Sequence, residues 1–301
     1  MVIGVTGGRG FLGKYVVKEL KKRHYDVFAP THEQYDFLDV RQCEAFAKQC
    51  DMIIHLAGMI GGIGANKQYP YDFFYNNLIM GTQLFNEARK ANIKKFVTIG
   101  TICSYPKHTP VPFHESALWL GYPEETNAPY GLAKKMLLVQ GQAAWQEYKF
   151  HSIYLLQVNL YGPGDNFDLE SSHVIPAMIR KFMEGKKLSL DNVTLWGSGS
   201  PTREFLYVED AARGIVDAME KYDKPEPINL GSGMEISIKN LALLIKELTG
   251  YSGGIVWDMD KPDGQPRRLL DVTRAEKEFG FKATTNFDEG LKKTIIWYQS
   301  L

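Results

Sequence analysis

Four side chains that could act on one ligand lie between residues 101 and 134: the hydroxyl of Thr101, the thiol of Cys103, the phenol of Tyr130 and the amine of Lys134. Tyr130 and Lys134 are four residues apart, which places both on one face of a helix. Such a set could transfer a proton near neutral pH, with the phenol as the titrating group. A free tyrosine titrates near about 10, so we expect the neighbouring ammonium to lower the pKa of Tyr130 toward neutrality.

A strand and a helix must position these groups. The apolar run 96–99 predicts a buried strand of a parallel sheet. Thr101 and Cys103 would then emerge at its carboxyl end, where open α/β sheets bind ligands. A helix is predicted from Tyr130 to Tyr148, with Asn127 as its cap. The Tyr-x-x-x-Lys motif alone is weak, because a chain this rich in both residues contains about one such pair by chance.

A glycine-rich turn between a strand and a helix opens the chain. Residues 2–6 are an apolar strand pattern, and an amphipathic helical pattern follows from Phe11 to Arg23. Glycines let the backbone approach a pyrophosphate, and the start of the helix offers free N–H groups. The Gly-x-x-Gly-x-x-Gly spacing is typical of short-chain dehydrogenases. The predicted cofactor contacts here are Gly7, Arg9, Gly10, Phe11, Leu12 and Gly13.

The second strand, 26–29, bears on the choice between NAD and NADP. NAD-binding chains carry an acidic residue just past this strand for the ribose 2′-hydroxyl, whereas Pro30 and Thr31 stand here. Arg9 and His32 could flank a 2′-phosphate, which favours NADPH over NADH, or could be solvated surface residues. Asp39 and Val40 are predicted to lie near the adenine, although Asp39 could instead cap a helix. Leu56, Ala57 and Gly58 follow a third predicted strand and are expected beside the ribose. His55 lies within that strand and is expected to be a packed core residue.

Composition and charge indicate an ordinary soluble globular protein. The chain has 301 residues, of which 44% are hydrophobic and 23% charged, enough for one large core or two unequal lobes. Its 35 basic and 35 acidic residues cancel, so we expect no nucleic-acid or membrane partner. No apolar run reaches the roughly 18 residues of a membrane span, the first strand leaves no room for a signal peptide, and the three cysteines should be reduced. We expect a cytoplasmic protein with no metal site.

The order of elements predicts an α/β fold, a Rossmann-type doubly wound parallel sheet with a smaller, interleaved C-terminal lobe. The predicted division is a cofactor domain of 1–160 rejoined by about 203–231, and a smaller substrate-binding lobe of 161–202 and 232–301. Two long helical patterns, 71–91 and 130–148, could form the four-helix bundle of a homodimer or simply cover the sheet.

Longer motifs resemble the extended short-chain dehydrogenase/reductases that act on nucleotide sugars, and the GDP-L-fucose synthase family is the most similar. The motifs are Thr6-Gly-Gly-Arg-Gly-Phe-Leu-Gly13, Gly61-Gly-Ile-Gly-Ala-Asn66, Cys103 before Tyr105-Pro106, Glu125-Thr-Asn-Ala-Pro-Tyr130, Asn159-Leu-Tyr-Gly162, Ser172-His-Val-Ile-Pro176, Trp196-Gly-Ser-Gly199, Arg203-Glu-Phe205 and Lys261-Pro-Asp-Gly264. The resemblance covers essentially the whole chain, and the Cys103 and His173 segments are its most specific parts.

The resemblance implies an enzyme that uses NADPH to epimerise C3 and C5 of GDP-4-keto-6-deoxy-D-mannose and to reduce its C4 ketone. It implies Tyr130 as the proton donor, Lys134 as its ribose-bound partner and Thr101 as the hydroxyl on the ketone. It implies Cys103 and His173 as the base and the acid of epimerisation. The substrate contacts that it implies are Asn159, Lys181, Trp196, Arg203 and Lys261.

Some positions depart from the family pattern. His32 and Lys181 stand where arginines are usual, and Ile102 and Gln157 replace a small serine and a proline. A sugar other than the usual hexose therefore stays open. One alternative is a 4-reductase or 4-epimerase of another nucleotide sugar, for example a GDP-4-keto-heptose, with the thiol and imidazole only structural. Another is a cofactor-binding regulatory protein, but it would be expected to lose the Tyr-x-x-x-Lys pair.

Overall fold

The computed structural model describes residues 1–301. The elements up to residue 161 are β1 (Val2–Thr6), α1 (Phe11–Lys22), β2 (Asp26–Phe28), α2 (Val40–Ala47), β3 (Met52–His55), α3 (Ile63–Gln68), α4 (Pro70–Lys90), β4 (Lys95–Thr101), α5 (Ala128–Tyr148), β5 (Ser152–Gln157) and β6 (Asn159–Tyr161). They are followed by α6 (Val174–Lys187), β7 (Asn192–Trp196), β8 (Thr202–Tyr207), α7 (Val208–Lys221), β9 (Ile228–Leu230), β10 (Glu235–Ser237), α8 (Ile238–Thr249), β11 (Gly254–Asp258), α9 (Thr273–Phe279) and α10 (Phe287–Gln299).

Six parallel strands form the central sheet, in the order β2-β1-β3-β4-β5-β9. Successive side chains of β3 point to opposite faces, where Ile54 packs in a core with α1 and α7 and Ile53 packs in a core with α2, α4 and α5. Strand β4 is buried along its whole length, and its last residue, Thr101, lies in register with Gln157 of β5. The predicted fold class, a doubly wound parallel sheet, is confirmed.

The smaller lobe has two short sheets, β10-β8-β6 and β11-β7, and its own hydrophobic core around α6, α8 and α10. The segment 203–231 was expected to rejoin the cofactor domain. Its strand β8 pairs with β10 and β6 of the smaller lobe. Only α7, which packs on α1, and β9, which pairs with β5, return to the larger lobe. Along β8, Leu206 packs in the larger core, whereas Phe205 and Tyr207 pack in the smaller one.

Some local predictions need correction. Asn127 precedes α5, but its side chain does not cap the helix, because the amide donates to Glu124 Oε2 at 2.8 Å. Cys50 lies beyond the end of α2, and all three cysteines are free. His55 is buried with Nδ1 2.9 Å from the Thr6 hydroxyl, as expected of a packed core histidine. None of the helices has the length and apolar character required to cross a bilayer.

Candidate active site

A cavity of about 1320 Å³ extends along the carboxyl edge of the large sheet and between the two lobes. Most of the predicted site residues line it. They are Gly7, Arg9, Gly10, Phe11, Leu12, Gly13, His32, Leu56, Ala57, Gly58, Thr101, Cys103, Tyr130, Asn159, His173, Lys181, Trp196 and Arg203. Four predicted residues do not line the cavity: Asp39, Val40, Lys134 and Lys261.

The glycine turn after β1 fits a dinucleotide. Gly7 has a φ of +66°, and a Cβ there would lie 2.9 Å from the Ala57 nitrogen. A Cβ at Gly13 would collide with the Gly7 carbonyl oxygen. Helix α1 begins at Gly10 without a side-chain cap, so the N–H groups of its first turn are free to bind a pyrophosphate. The residues present therefore fit the cofactor predicted from the sequence.

An acidic residue that was not predicted lies near Arg9 and His32, the residues predicted to flank a 2′-phosphate. Arg9, His32 and Glu33 all line this end of the cavity. A hydrogen bond with Thr31 lowers the pKa of Glu33, and the charges of His32 and Arg9 act in the same direction. The carboxylate thus offsets part of the positive charge near Arg9, and the sequence pattern gave no sign of this because Glu33 lies beyond the expected position.

Asp39 acts as a helix cap and not as part of the cavity wall. Its Oδ1 accepts a hydrogen bond from the backbone N–H of Arg41 at 2.9 Å, and its Oδ2 lies 3.1 Å from the Arg41 guanidinium. The wall at this end is formed by Asp36, Phe37 and Leu38. The structure shows the capping alternative for Asp39, and neither Asp39 nor Val40 lines the cavity.

Glycine packing brings Tyr130 next to Thr101 and Cys103. After β4, a short 3₁₀ turn (Ile102–Ser104) begins with the Thr101 hydroxyl accepting a hydrogen bond from the Cys103 N–H at 3.2 Å. The first turn of α5 lies directly on this turn, since a Cβ at Gly131 would collide with the Cys103 carbonyl oxygen. The Ser104 hydroxyl donates to the Gly131 carbonyl at 2.9 Å. These contacts hold the hydroxyl, the thiol and the phenol together at the cavity wall.

The pKa of Tyr130 differs from the sequence-based expectation. Burial raises it above the ordinary value for tyrosine, the charge of Cys103 acts in the same direction, and a hydrogen bond with Thr101 opposes them. Lys134 does not compensate, because it is 4% exposed and burial lowers its own pKa to about 8. The phenol is therefore protonated at neutral pH, which is the form that a proton donor requires.

Arg268 is a site residue that the sequence patterns did not single out. Its Nη1 donates to Cys103 Sγ at 3.5 Å, and its Nε donates to Gln265 Oε1 at 3.0 Å. Burial lowers the pKa of His173, and the Arg268 charge lowers it further. The Arg268 guanidinium thus contacts the thiol of the larger lobe, and its charge also acts on the imidazole of the smaller lobe. A neutral His173 must take up a proton before it can act as an acid, which modifies the role expected for it.

The far end of the cavity combines an aromatic ring with cations. The Nζ atoms of Lys261 and Lys181 lie 5.4 Å and 5.9 Å from the centroid of the Trp196 ring. Lys261 does not line the cavity itself, but it lies close to Trp196, which does. Arg203 donates to the carbonyls of Thr202 at 2.7 Å and Asp263 at 3.1 Å. Burial lowers the pKa of Arg203 to about 9, and the charge of Arg268 contributes. This end is suited to a planar base and to phosphates.

Glu204 fixes the strand that carries Arg203. Its Oε1 accepts hydrogen bonds from the N–H groups of Ser232 at 2.6 Å and Gly233 at 2.7 Å, and its Oε2 accepts one from Leu270 at 2.7 Å. The carboxylate therefore ties β8 to the loop after β9 and to the segment that contains Arg268. Asn159 of the neighbouring strand donates weakly to the Glu204 carbonyl, at 3.5 Å.

The fold and this site define an oxidoreductase or epimerase of the extended short-chain dehydrogenase/reductase type, and the chain belongs to the NAD dependent epimerase/dehydratase family, whose model matches residues 3–231. A GDP-L-fucose synthase of Arabidopsis thaliana is 38% identical to it over 299 residues, covering 98% of this chain and 92% of the relative. The resemblance inferred from the sequence motifs is confirmed.

Two solved structures are similar over nearly their whole length. A GDP-6-OMe-4-keto-L-xylo-heptose reductase from C. jejuni superimposes with a TM-score of 0.93 at 27% identity, covering 99% of this chain and 97% of that chain. A GDP-L-fucose synthetase from Naegleria fowleri bound to NADP gives a TM-score of 0.88 at 30% identity, covering 99% of this chain and 92% of that one. The structures that this chain resembles therefore include a GDP-heptose reductase and a GDP-L-fucose synthetase.

Proposed function

We propose that this protein epimerises C3 and C5 of a GDP-linked 4-keto-6-deoxy sugar and reduces its C4 ketone with NADPH. The observation that carries the proposal is the meeting of Tyr130, Thr101, Cys103 and His173 in one cavity, with the Arg268 guanidinium beside the thiol. NADPH would be held by the glycine turn, and when bound it supplies the hydride that C4 receives. The homology to GDP-L-fucose synthases supports the choice of sugar.

Reduction needs a proton for the oxygen on C4. Tyr130 is protonated at neutral pH and lies at the cavity wall, so its phenol donates that proton. The Thr101 hydroxyl at the end of β4 holds the ketone oxygen in place by a hydrogen bond. Lys134, one turn along α5 from the phenol, would bind the ribose and place its positive charge near the oxygen where negative charge develops.

Epimerisation needs two groups that exchange protons with carbon from different sides. The C4 ketone acidifies the C–H bonds at C3 and C5, because the enolate formed at either carbon places its charge on the ketone oxygen. Cys103 and His173 belong to different lobes and line the same cavity. Arg268, whose guanidinium lies beside the Cys103 thiol, would stabilise the enolate electrostatically.

The proposal also covers the contacts of the substrate, the oligomeric state and the location of the protein. Trp196 with Lys181, Lys261 and Arg203 would bind the GDP moiety, and Asn159 would contact the sugar. The exposed aromatic residues Tyr71, Phe74 and Tyr75 of α4 support a homodimer formed through α4 and α5. A cytoplasmic location completes the proposal.

A second candidate is a C4 reductase of a GDP-4-keto-heptose without epimerisation. It is favoured by the TM-score of 0.93 against the C. jejuni heptose reductase. Asp165 and Ser172, which line the cavity, each have a buried side-chain oxygen without a partner, and burial raises the pKa of Asp165 to about 7. These oxygens could bind the extra hydroxyl groups of a heptose.

The proposed function is tested by incubating the protein with NADPH and GDP-4-keto-6-deoxy-D-mannose. Formation of a product inverted at C3 and C5 and reduced at C4 supports it, whereas reduction without inversion favours the second candidate. The nucleotide is tested by comparing melting temperatures with GDP, UDP and dTDP in the presence of NADPH. A rise that is largest with GDP is expected, because a ligand that binds only the native state stabilises it.

We expect the protein to prefer NADPH over NADH modestly, and the Glu33→Gln variant to prefer it more. Removing the carboxylate beside Arg9 and His32 removes repulsion of a 2′-phosphate, and at an exposed site this should raise the ratio of kcat/KM values by roughly 2- to 5-fold. The measurement is kcat/KM for both cofactors at constant ionic strength. Glu247→Gln, an exposed glutamate outside the cavity, is the control. An unchanged ratio in Glu33→Gln would place Glu33 away from the phosphate.

We expect kcat for reduction to fall by about tenfold between pH 7 and pH 9. Burial lowers the pKa of Lys134 to about 8, so its charge is present below that pH and is lost as the pH rises through it. Because kcat is measured at saturation, titration of groups that affect only binding contributes little. The Lys134→Met variant should show a low kcat without this decline, and a wild-type kcat that is constant to pH 9 would contradict the prediction.

A further inference from the structure

Gln157, the last residue of β5, has a side-chain amide without a hydrogen-bond partner in the protein. The residue is 5% exposed and lines the cavity, and its buried Nε2 finds no acceptor. Two other glutamines with an unpartnered buried amide atom, Gln83 and Gln140, lie on α4 and α5 outside the cavity. A buried polar group without a partner costs free energy, so an amide in this state at a cavity wall indicates a group that a ligand satisfies.

The register of the sheet places Gln157 beside the reacting carbonyl. It is the partner of Thr101 across β4 and β5, and neighbouring strands lie about 4.8 Å apart. Gly7 follows β1 and Leu56–Gly58 follow β3, both on the other side of β4. Gln157 is therefore two strands away from β3, the nearer of the two strands that bear the cofactor contacts. The chain passes directly from it into β6 of the smaller lobe.

We propose that the side-chain amide of Gln157 binds a hydroxyl group of the substrate's sugar ring, on a carbon next to the ketone, and selects sugars that carry this hydroxyl. The inference rests on the proposed function, because it takes Thr101 to mark the position of the ketone. A primary amide both donates and accepts hydrogen bonds, as a sugar hydroxyl does. The carboxamide of the cofactor's nicotinamide has matching chemistry as well, so the experiment separates sugar from cofactor.

The test uses Gln157→Met, which keeps the length of the side chain and removes the amide. Titration calorimetry with NADP present gives the Kd of GDP and of GDP-mannose, whose ratio reports what the sugar contributes. We expect GDP-mannose to bind the wild type more tightly than GDP, and the variant to lose about tenfold of that preference. The Kd values of GDP and of NADPH should change by less than about twofold. The melting temperature without ligands should be unchanged or higher, because a structural role would lower it.

Gln142→Met is the matched control, since Gln142 is half-buried outside the cavity and donates to the Pro225 carbonyl. The inference is overturned if Gln157→Met keeps the wild-type preference, if the wild type shows no preference for GDP-mannose over GDP, or if the variant loses affinity for NADPH instead. If the wild type fails to convert GDP-4-keto-6-deoxy-D-mannose but the variant loses the preference for GDP-mannose, the proposed reaction is wrong and the role of Gln157 in sugar binding is supported.

Discussion

Replacing Tyr130 with phenylalanine is expected to reduce the rate of C4 reduction by about 10² to 10⁴ while cofactor and sugar binding remain nearly intact. Only the hydroxyl that donates the proton is removed, and the ring keeps its edge-on contact with Phe73 at a centroid distance of 6.4 Å. Because burial keeps the phenol protonated, the wild-type enzyme has its proton donor in the active form throughout the neutral range. The measurement is single-turnover oxidation of NADPH at saturating sugar.

The same measurement has a control and a clear contradicting outcome. Tyr122→Phe removes a hydroxyl from an exposed tyrosine that does not line the cavity, and its rate should match the wild type. The Kd of NADPH for Tyr130→Phe, measured by fluorescence, should stay within about threefold of the wild-type value, because the lost hydroxyl serves the chemical step. A Tyr130→Phe variant that reduces the ketone at nearly the wild-type rate would show that another group donates the proton.

The second large effect is expected in proton exchange. Incubated with GDP-4-keto-6-deoxy-D-mannose in deuterated water without NADPH, the wild type should introduce label at C3 and C5. Exchange should fall by about 10² to 10⁴ in Cys103→Ser and in His173→Asn, since each removes one of the two groups that exchange protons with carbon. The expectation follows from the placement of these residues on different lobes of one cavity, where the Arg268 guanidinium contacts the thiol and its charge acts on the imidazole.

The position of the label shows which carbon each residue serves. If one variant retains exchange at C3 and the other at C5, the two residues serve different carbons, and loss at both carbons in both variants shows that they work as a pair. His108→Asn, an exposed histidine outside the cavity, is the control for the imidazole. A wild type that reduces the ketone but never incorporates label at either carbon is a plain reductase, and the proposed epimerisation is then wrong.

Most of the fold could be predicted from hydrophobic periodicity and turn residues. β1 was predicted with its observed bounds, and α1, α4 and α5 were predicted within a few residues, because each begins and ends with a change of pattern. The place of β8 could not be predicted. The apolar run 205–208 predicts a buried strand but does not indicate which sheet the strand joins. Only its pairing with β6 and β10 in the structure assigns it to the sheet of the smaller lobe.

The site was predictable where short motifs fix local geometry, and less so where distant segments meet. The glycine turn and the pair Thr101 and Tyr130 follow from local spacing. Glu33 and Arg268 were missed, because the first lies outside the expected position and the second reaches Cys103 from 165 positions along the chain. The direction of the Tyr130 pKa was mispredicted, since spacing places a lysine nearby but does not show that desolvation dominates the pKa of both groups.

The double packing of β8 has a consequence for modular engineering. Because Leu206 belongs to one core and Phe205 and Tyr207 to the other, neither lobe can be exchanged between relatives without disturbing the packing of a shared strand. A chimera joined at residue 231, where the family match ends, would keep β8 but replace β10, α8 and α10, against which that strand and its aromatic residues pack. Substrate range in this scaffold is therefore more readily altered by single substitutions at the cavity wall than by domain grafting.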